Sequence, residues 1–200
     1  MKRLFCLAII VMTVFPSGAY AQRTAEGEMG LYATYTHPFM KGWGVSGGWN
    51  RYTLFGTWDA SVTVTNRGYT FERTTSVPVF HYTARAGYLV RLCATRDRSL
   101  NLYAGGGILL GAGEFRLLDK LEGIAKEYGT TFETNNFGGN PYFIFGLYPK
   151  IEAEYFFVGN VGLSVSFQMP VTFHDKEHGS VQRLTGVLYP EVSGGIKINF

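Results

Sequence analysis

The chain has 200 residues, the size of one domain, with 26 glycines, 16% aromatic and 16% charged residues and a formal net charge of +3. So slight a positive balance gives no support for nucleic-acid binding through bulk charge. Two cysteines exclude a disulfide-dense scaffold.

At the N-terminus Lys2 and Arg3 precede an apolar run, Leu4 to Phe15, and the small-residue pattern Ala19-Tyr20-Ala21 follows. That is the layout of a secretory signal peptide. The run is shorter than the ~20 residues that span a bilayer. Cys6 sits inside it without the small-residue context of a lipoprotein site, so cleavage after Ala21 with no lipid anchor is expected. The expected organisation is a signal peptide over 1–21 and a single domain over 22–200. Removing Lys2 and Arg3 leaves 18 − 2 = 16 basic residues against 15 acids, a net charge of +1. Cys93 is then the only cysteine. An exported chain rich in glycine and aromatics, with no long apolar run, points to an all-β architecture.

Period-2 alternation then recurs along the chain. Met29 to His37 sets Leu31, Ala33 and Tyr35 against Tyr32, Thr34 and Thr36. Trp43 to Trp49 and Ala60 to Val64 alternate over shorter stretches. Val77 to Leu92 carries Phe80, Tyr82, Ala84, Ala86, Tyr88, Val90 and Leu92 on one face and His81, Thr83, Arg85 and Arg91 on the other. Leu100 to Ala112 opposes Leu100, Leu102, Ile108 and Leu110 to Asn101, Tyr103 and glycines. Phe143 to Tyr155 opposes Phe143, Phe145, Leu147 and Ile151 to Tyr148, Lys150, Glu152 and Glu154. Val161 to Phe173 alternates without exception. The last strand has Val192, Gly194, Ile196, Ile198 and Phe200 on one face and Ser193, Gly195, Lys197 and Asn199 on the other. Eight strands are predicted. "NRGYTFERTTS", the stretch from Glu114 to Asn140 and "HDKEHGSVQR" read as long connections. Within the second, Leu117, Leu118, Leu121, Ile124 and Ala125 fit either a short amphipathic helix or an extended hairpin.

Such a sheet can close with its apolar face inward, as in a soluble lipocalin-like barrel, or outward into lipid. The polar face decides. A water-exposed face is about a quarter to a third charged, whereas here it is mainly Gly, Ser, Thr, Gln and Asn. Its few charges, Arg85, Arg91, Lys150, Glu152, Glu154, Glu191 and Lys197, are of both signs and are expected to form a polar network in the lumen, because unpaired buried charge is expensive. Trp43, Trp49, Phe80, Tyr88, Phe143, Tyr155, Phe173 and Phe200 fall toward strand ends, where interfacial girdles sit. The expected fold is therefore an eight-stranded antiparallel up-and-down transmembrane β-barrel, filled rather than porous. Its terminal strand, Val192 to Phe200, resembles the C-terminal signal read by the barrel assembly machinery.

No catalytic constellation emerges. His37, His81, His174 and His178 share no metal spacing except the last pair, in an apparent turn. Ser180 with His174 and His178 would be the candidates for a lipid-modifying hydrolase, but no spacing sets them apart. "GGGILLGAG" reads as strand and lacks the lysine and helix of a phosphate loop. Neither enzyme activity, cofactor nor metal is expected.

Across most of residues 20–200 the chain resembles the TraO family of conjugative-transposon proteins. "AYAQR", "SVPVFHYTARAGY", "DRSLNLYAGGGILLGAGE", "NPYFIFGLYPKIEAEYF", "VGLSVSFQM" and "GGIKINF" carry the resemblance. It implies a non-enzymatic outer-membrane component of a DNA-transfer apparatus in a diderm bacterium. Its partners would be membrane lipid, the assembly machinery and other transfer proteins, with no direct contact to nucleic acid. The alternatives are a general surface barrel for adhesion or envelope integrity and, less favoured, a lipid-modifying enzyme.

Overall fold

The computed structural model describes residues 26–39, 42–71, 75–115, 141–158, 160–178 and 181–200. The expected signal peptide, Ser180 and the apolar residues from Leu117 to Ala125 lie outside them. Every element among the described residues is a strand: β1 (Met29–Pro38), β2 (Gly42–Tyr52), β3 (Gly56–Phe71), β4 (Thr75–Ala94), β5 (Leu100–Phe115), β6 (Tyr142–Val158), β7 (Val161–Gln168), β8 (Val171–His178), β9 (Val181–Leu188) and β10 (Glu191–Asn199).

These ten segments make eight walls. Neighbours pair antiparallel from β1 through β7, β7 pairs with β10, and β10 returns to β1 from Gly30↔Asn199 to Pro38↔Glu191. The sheet therefore closes and has no edge around this belt. β7 and β8 form one wall, β9 and β10 another, each interrupted at a proline. Pro170 and Pro190 have no N–H to give, so the ladder passes through their carbonyls instead. Tyr189 N–H donates to Pro170 O at 2.9 Å, Phe39 N–H to Pro190 O at 3.0 Å, and Met169 N–H to Pro149 O at 3.0 Å. At this level β6 exchanges β7 for β8 as its partner.

The eight-stranded closed barrel agrees with the sequence reading; two of the expected connections do not. "NRGYTFERTTS" is mostly strand, with β3 and β4 paired from Asn66↔Phe80 to Phe71↔Thr75. "HDKEHGSVQR" is likewise built into β8 and β9, paired from Val171↔Leu188 to His178↔Val181. The residues of these extensions alternate in no apolar pattern, so period 2 leaves no trace in the sequence. The start of β1, the end of β10, the turns at 53–55 and 95–99 and the residue Asn160 share one end of the tube, and the long hairpins rise from the other.

The alternation resolves in one direction on every wall. Leu31, Val45, Val62, Val90, Ile108, Ile151, Val165 and Ile196, one from each wall, are exposed on the outside. Trp43 meets Phe80 edge-on at 6.4 Å toward the loop end, and Trp58, absent from the expected girdle, meets Tyr88 at 5.0 Å toward the turn end. Inside stand the polar residues.

Candidate functional site: the charged lumen

Each lumen charge owes its place to strand parity. On β6 the even positions point inward, so Lys150, Glu152 and Glu154 form a column, all buried. β10 contributes Glu191 and Lys197, both fully buried, and β4 contributes Arg85. The charges gather into two clusters.

The lower cluster, nearer the turns, joins three carboxylates to two lysines. Lys150 Nζ reaches Asp59 at 3.2 Å and Glu152 at 2.5 Å. Lys197 Nζ reaches Glu152 at 2.7 Å and also bonds Glu154. Hydroxyl and amide donors complete the set. The Tyr32 hydroxyl donates to Asp59 at 2.7 Å, Asn50 to Asp59 at 3.2 Å, and the Tyr52 hydroxyl to Glu154 at 3.2 Å. Both lysines also stand over the Tyr32 ring, Lys197 at 5.2 Å and Lys150 at 5.6 Å. Each carboxylate thus meets a cation or several donors, the condition under which buried charge is tolerable.

The upper cluster centres on Glu191. Arg67 bonds one of its oxygens; Arg85, at 3.4 Å, and Gln168, at 3.0 Å, share the other. Arg67 also stands over the Tyr189 ring, its guanidinium carbon 3.8 Å from the ring centroid. His81 bonds the Tyr142 hydroxyl at 2.9 Å, and the ring of His174 packs against the same tyrosine at 5.6 Å.

Six of the seven charges singled out in the sequence, Arg85, Lys150, Glu152, Glu154, Glu191 and Lys197, come together in these clusters. Arg91 faces inward too, but at the turn end, over the Tyr103 ring at 5.8 Å and donating to Leu54 O at 3.5 Å, and it joins no ion pair among the described residues. A β-bulge between Arg91 and Cys93 marks that spot. Asp59 and Arg67 were missed. They occupy odd positions on β3, where Thr57, Asp59, Ser61, Thr63, Thr65 and Arg67 oppose Trp58, Ala60, Val62, Val64 and Asn66. The signal was present; reading only Ala60 to Val64 truncated it.

His174, a candidate for hydrolysis, is buried in the wall rather than poised on a rim loop. His37 is exposed on β1. No group of three metal-ligating side chains occurs among the described residues. The space left between the clusters is a cavity of about 20 Å³ lined by polar side chains. That is room for a water and not for a solute stream.

With this geometry the relevant likeness is to solved structures. The crystal structure of Neisserial surface protein A matches with a TM-score of 0.50 over 86% of this chain and 95% of its own, at 15% identity. The outer membrane protein OprG from Pseudomonas aeruginosa matches with a TM-score of 0.54 over 91% and 99%, at 7% identity. The fold is that of a small outer-membrane β-barrel. No protein-family model matches the chain, and no curated protein does. At these identities the likeness speaks for the fold alone.

Proposed function

We propose that the chain is a non-enzymatic barrel of the outer membrane, exported on residues 1–21 and inserted by the barrel assembly machinery through its last strand. The observation that carries this reading is the pairing of an apolar exterior on all eight walls with a buried interior of ion pairs. In water that exterior would be an apolar patch far larger than a soluble monomer shows. In lipid it is the expected band, and the ladder closes on itself, so among the described residues no sheet edge faces the hydrocarbon. Val192, Gly194, Ile196, Ile198 and Phe200 all face outward, which presents this strand to lipid and supports that reading.

The filled lumen favours a role played at the surface over one of conduction. The TraO-like motifs favour a place in a conjugative DNA-transfer apparatus, where the barrel would dock partner proteins by its hairpins or turns. Those hairpins stand well beyond the apolar belt, which also suits a general surface barrel. Two experiments test the reading. Purified protein should migrate differently on a gel before and after boiling, and should need detergent or lipid to stay folded. A monomer folded in plain buffer refutes the membrane assignment. Deleting the gene in a donor should lower transfer frequency, with restoration by the wild-type gene. Unchanged transfer together with altered envelope sensitivity would move the assignment to the general surface role.

A further inference from the structure

The β8–β9 hairpin carries a strand edge that the barrel does not use. Among the described residues β9 pairs with β8 alone. Tyr189 N–H donates to Pro170 O, so in this antiparallel register Val187, Thr185, Arg183 and Val181 bond β8. The residues between them turn their N–H and C=O groups the other way, toward the β1 side, where Phe39 N–H reaches Pro190 O. Continuing the register of Pro38↔Glu191, Leu188 stands level with position 41. Gly186 would need position 43, which already belongs to β2 and pairs with Asn66. The backbone groups of Gln182, Leu184 and Gly186 therefore point past the end of β1 and meet no partner among the described residues.

Exposed edges are normally guarded by lysine, proline, a bulge or a short strand. β9 is eight residues long, runs without a register shift and has neither proline nor lysine; Arg183 is its one charge. Two such edges fit each other. An antiparallel ladder has a twofold axis at each directly opposed pair. Centred on Leu184, it sets Leu184 against itself and Gln182 against Gly186, about six backbone hydrogen bonds in all. Arg183 then stands opposite Thr185 rather than a second arginine, and Asp175, Lys176, Glu177 and Arg183 sum to 2 − 2 = 0, so copies do not repel. Direction settles where the second copy stands. In one membrane every β9 runs the same way, toward the turn end, and two side by side would be parallel, a slanted pairing without a twofold. Antiparallel contact requires the second copy to stand in a facing membrane.

We propose that the free edge of β9 is a homophilic docking surface that joins two copies of this chain across two apposed outer membranes. This rests on the membrane reading above and is independent of the transfer role. A single contact of this size is weak, and many copies on each surface supply the avidity.

The test uses residues 22–200 refolded into two populations of phosphatidylcholine vesicles with different fluorophores. Clustering is expected when both populations carry the protein and not when one is empty. Leu184→Pro removes the central N–H of the free edge while leaving the ladder to β8, and should reduce clustering about tenfold or more; Leu184→Ala should leave it unchanged. In a Cys93→Ser background, Leu184→Cys should give a covalent dimer on oxidation with diamide, since directly opposed residues lie about 5.5 Å apart. That variant decides if the proline one does not fold. Barrels that pass the heat-modifiability check and do not cluster overturn the inference and leave the membrane reading standing. Clustering onto empty vesicles, or clustering that Leu184→Pro leaves intact in a folded barrel, overturns it as well. So do dimers formed equally in dilute vesicles that never touch, which would be pairs within one membrane.

Discussion

Lys197→Met is the sharpest test of how the lumen is held together. Lys197 is fully buried, and its ammonium is shared between Glu152, at 2.7 Å, and Glu154. With Lys150 it balances Asp59, Glu152 and Glu154, so the lower cluster carries 2 − 3 = −1. The substitution raises this to 1 − 3 = −2 and leaves Glu154 with the Tyr52 hydroxyl as its remaining donor among those described. Methionine nearly conserves volume, so the packing loss is small. Stranding a buried charge costs about 3–5 kcal/mol. A destabilisation of about 4 kcal/mol is therefore expected. Adding Glu154→Gln returns the cluster to 1 − 2 = −1 and should recover about half or more of the loss, because removing both charges of a buried pair is far cheaper than removing one. The assay is urea unfolding of vesicle-folded barrel, followed by tryptophan fluorescence from Trp43, Trp49 and Trp58, with heat-modifiability as the check on folding. A single variant within about 1 kcal/mol of wild type refutes the reasoning. A double variant no more stable than the single does so equally.

Other parts of the structure give further expectations. Val62→Arg, near the middle of β3 and 63% exposed on the outer face, should cost about 2–4 kcal/mol of folding in bilayers, whereas a solvent-facing position would show almost none. Gly48 lies directly beneath the Tyr32 ring, so the methyl of Gly48→Ala would push that ring off Asp59. About 1–3 kcal/mol should be lost in the same urea assay, and Tyr32→Phe should forfeit part of it without the clash. In the turn at 95–99, hydrogen bonds from the Thr95 hydroxyl and from Ser99 hold the Asp97 carboxyl below its ordinary value of 3.8. A depressed carboxylate stabilises the fold above its unfolded value and loses that contribution as pH falls through the folded one. The small advantage of wild type over Asp97→Ala should thus be present above about pH 4 and vanish in acid; a pH-independent difference in unfolding midpoint would contradict it.

Most of the barrel's belt could be read from the sequence because lipid outside and polar groups inside impose strict parity on every spanning strand. Val161 to Phe173 shows how far that goes: its alternation runs unbroken through Met169 and Pro170, where the ladder itself breaks. Parity could not reveal β3 beyond Val64, the first two residues of β4, or the hairpin of β8 and β9 beyond Phe173, where neither set of residues is apolar. It also could not assign partners. Within the expected lumen network, Lys150 and Glu152 pair along one strand, two residues apart on the same face, and Arg85 finds Glu191, which is 106 residues away in sequence. Such distances follow from closure, which no local pattern encodes. Arg91 went to the turn end because inward parity fixes a face and not a height.

Parity and charge therefore specify different things. A one-residue slip between neighbouring strands would turn every apolar side chain into the lumen, so the alternation forbids it. A two-residue slip keeps every face correct, and lipid, being apolar throughout, does little to oppose it. The point charges do. Moving β10 by two residues against β7 would carry Lys197 away from Glu152 and Glu154 and Glu191 away from Gln168, leaving several buried ions without partners at once. The hydrogen-bond ladder alone would accept either register, because backbone groups repeat along the strand. Buried ion pairs often contribute little net stability compared with apolar side chains of the same size. Here their value lies in choosing one register among those the outer face leaves equivalent, which gives the eight charged groups of the two clusters, among the described residues, a role that Leu and Val could not fill.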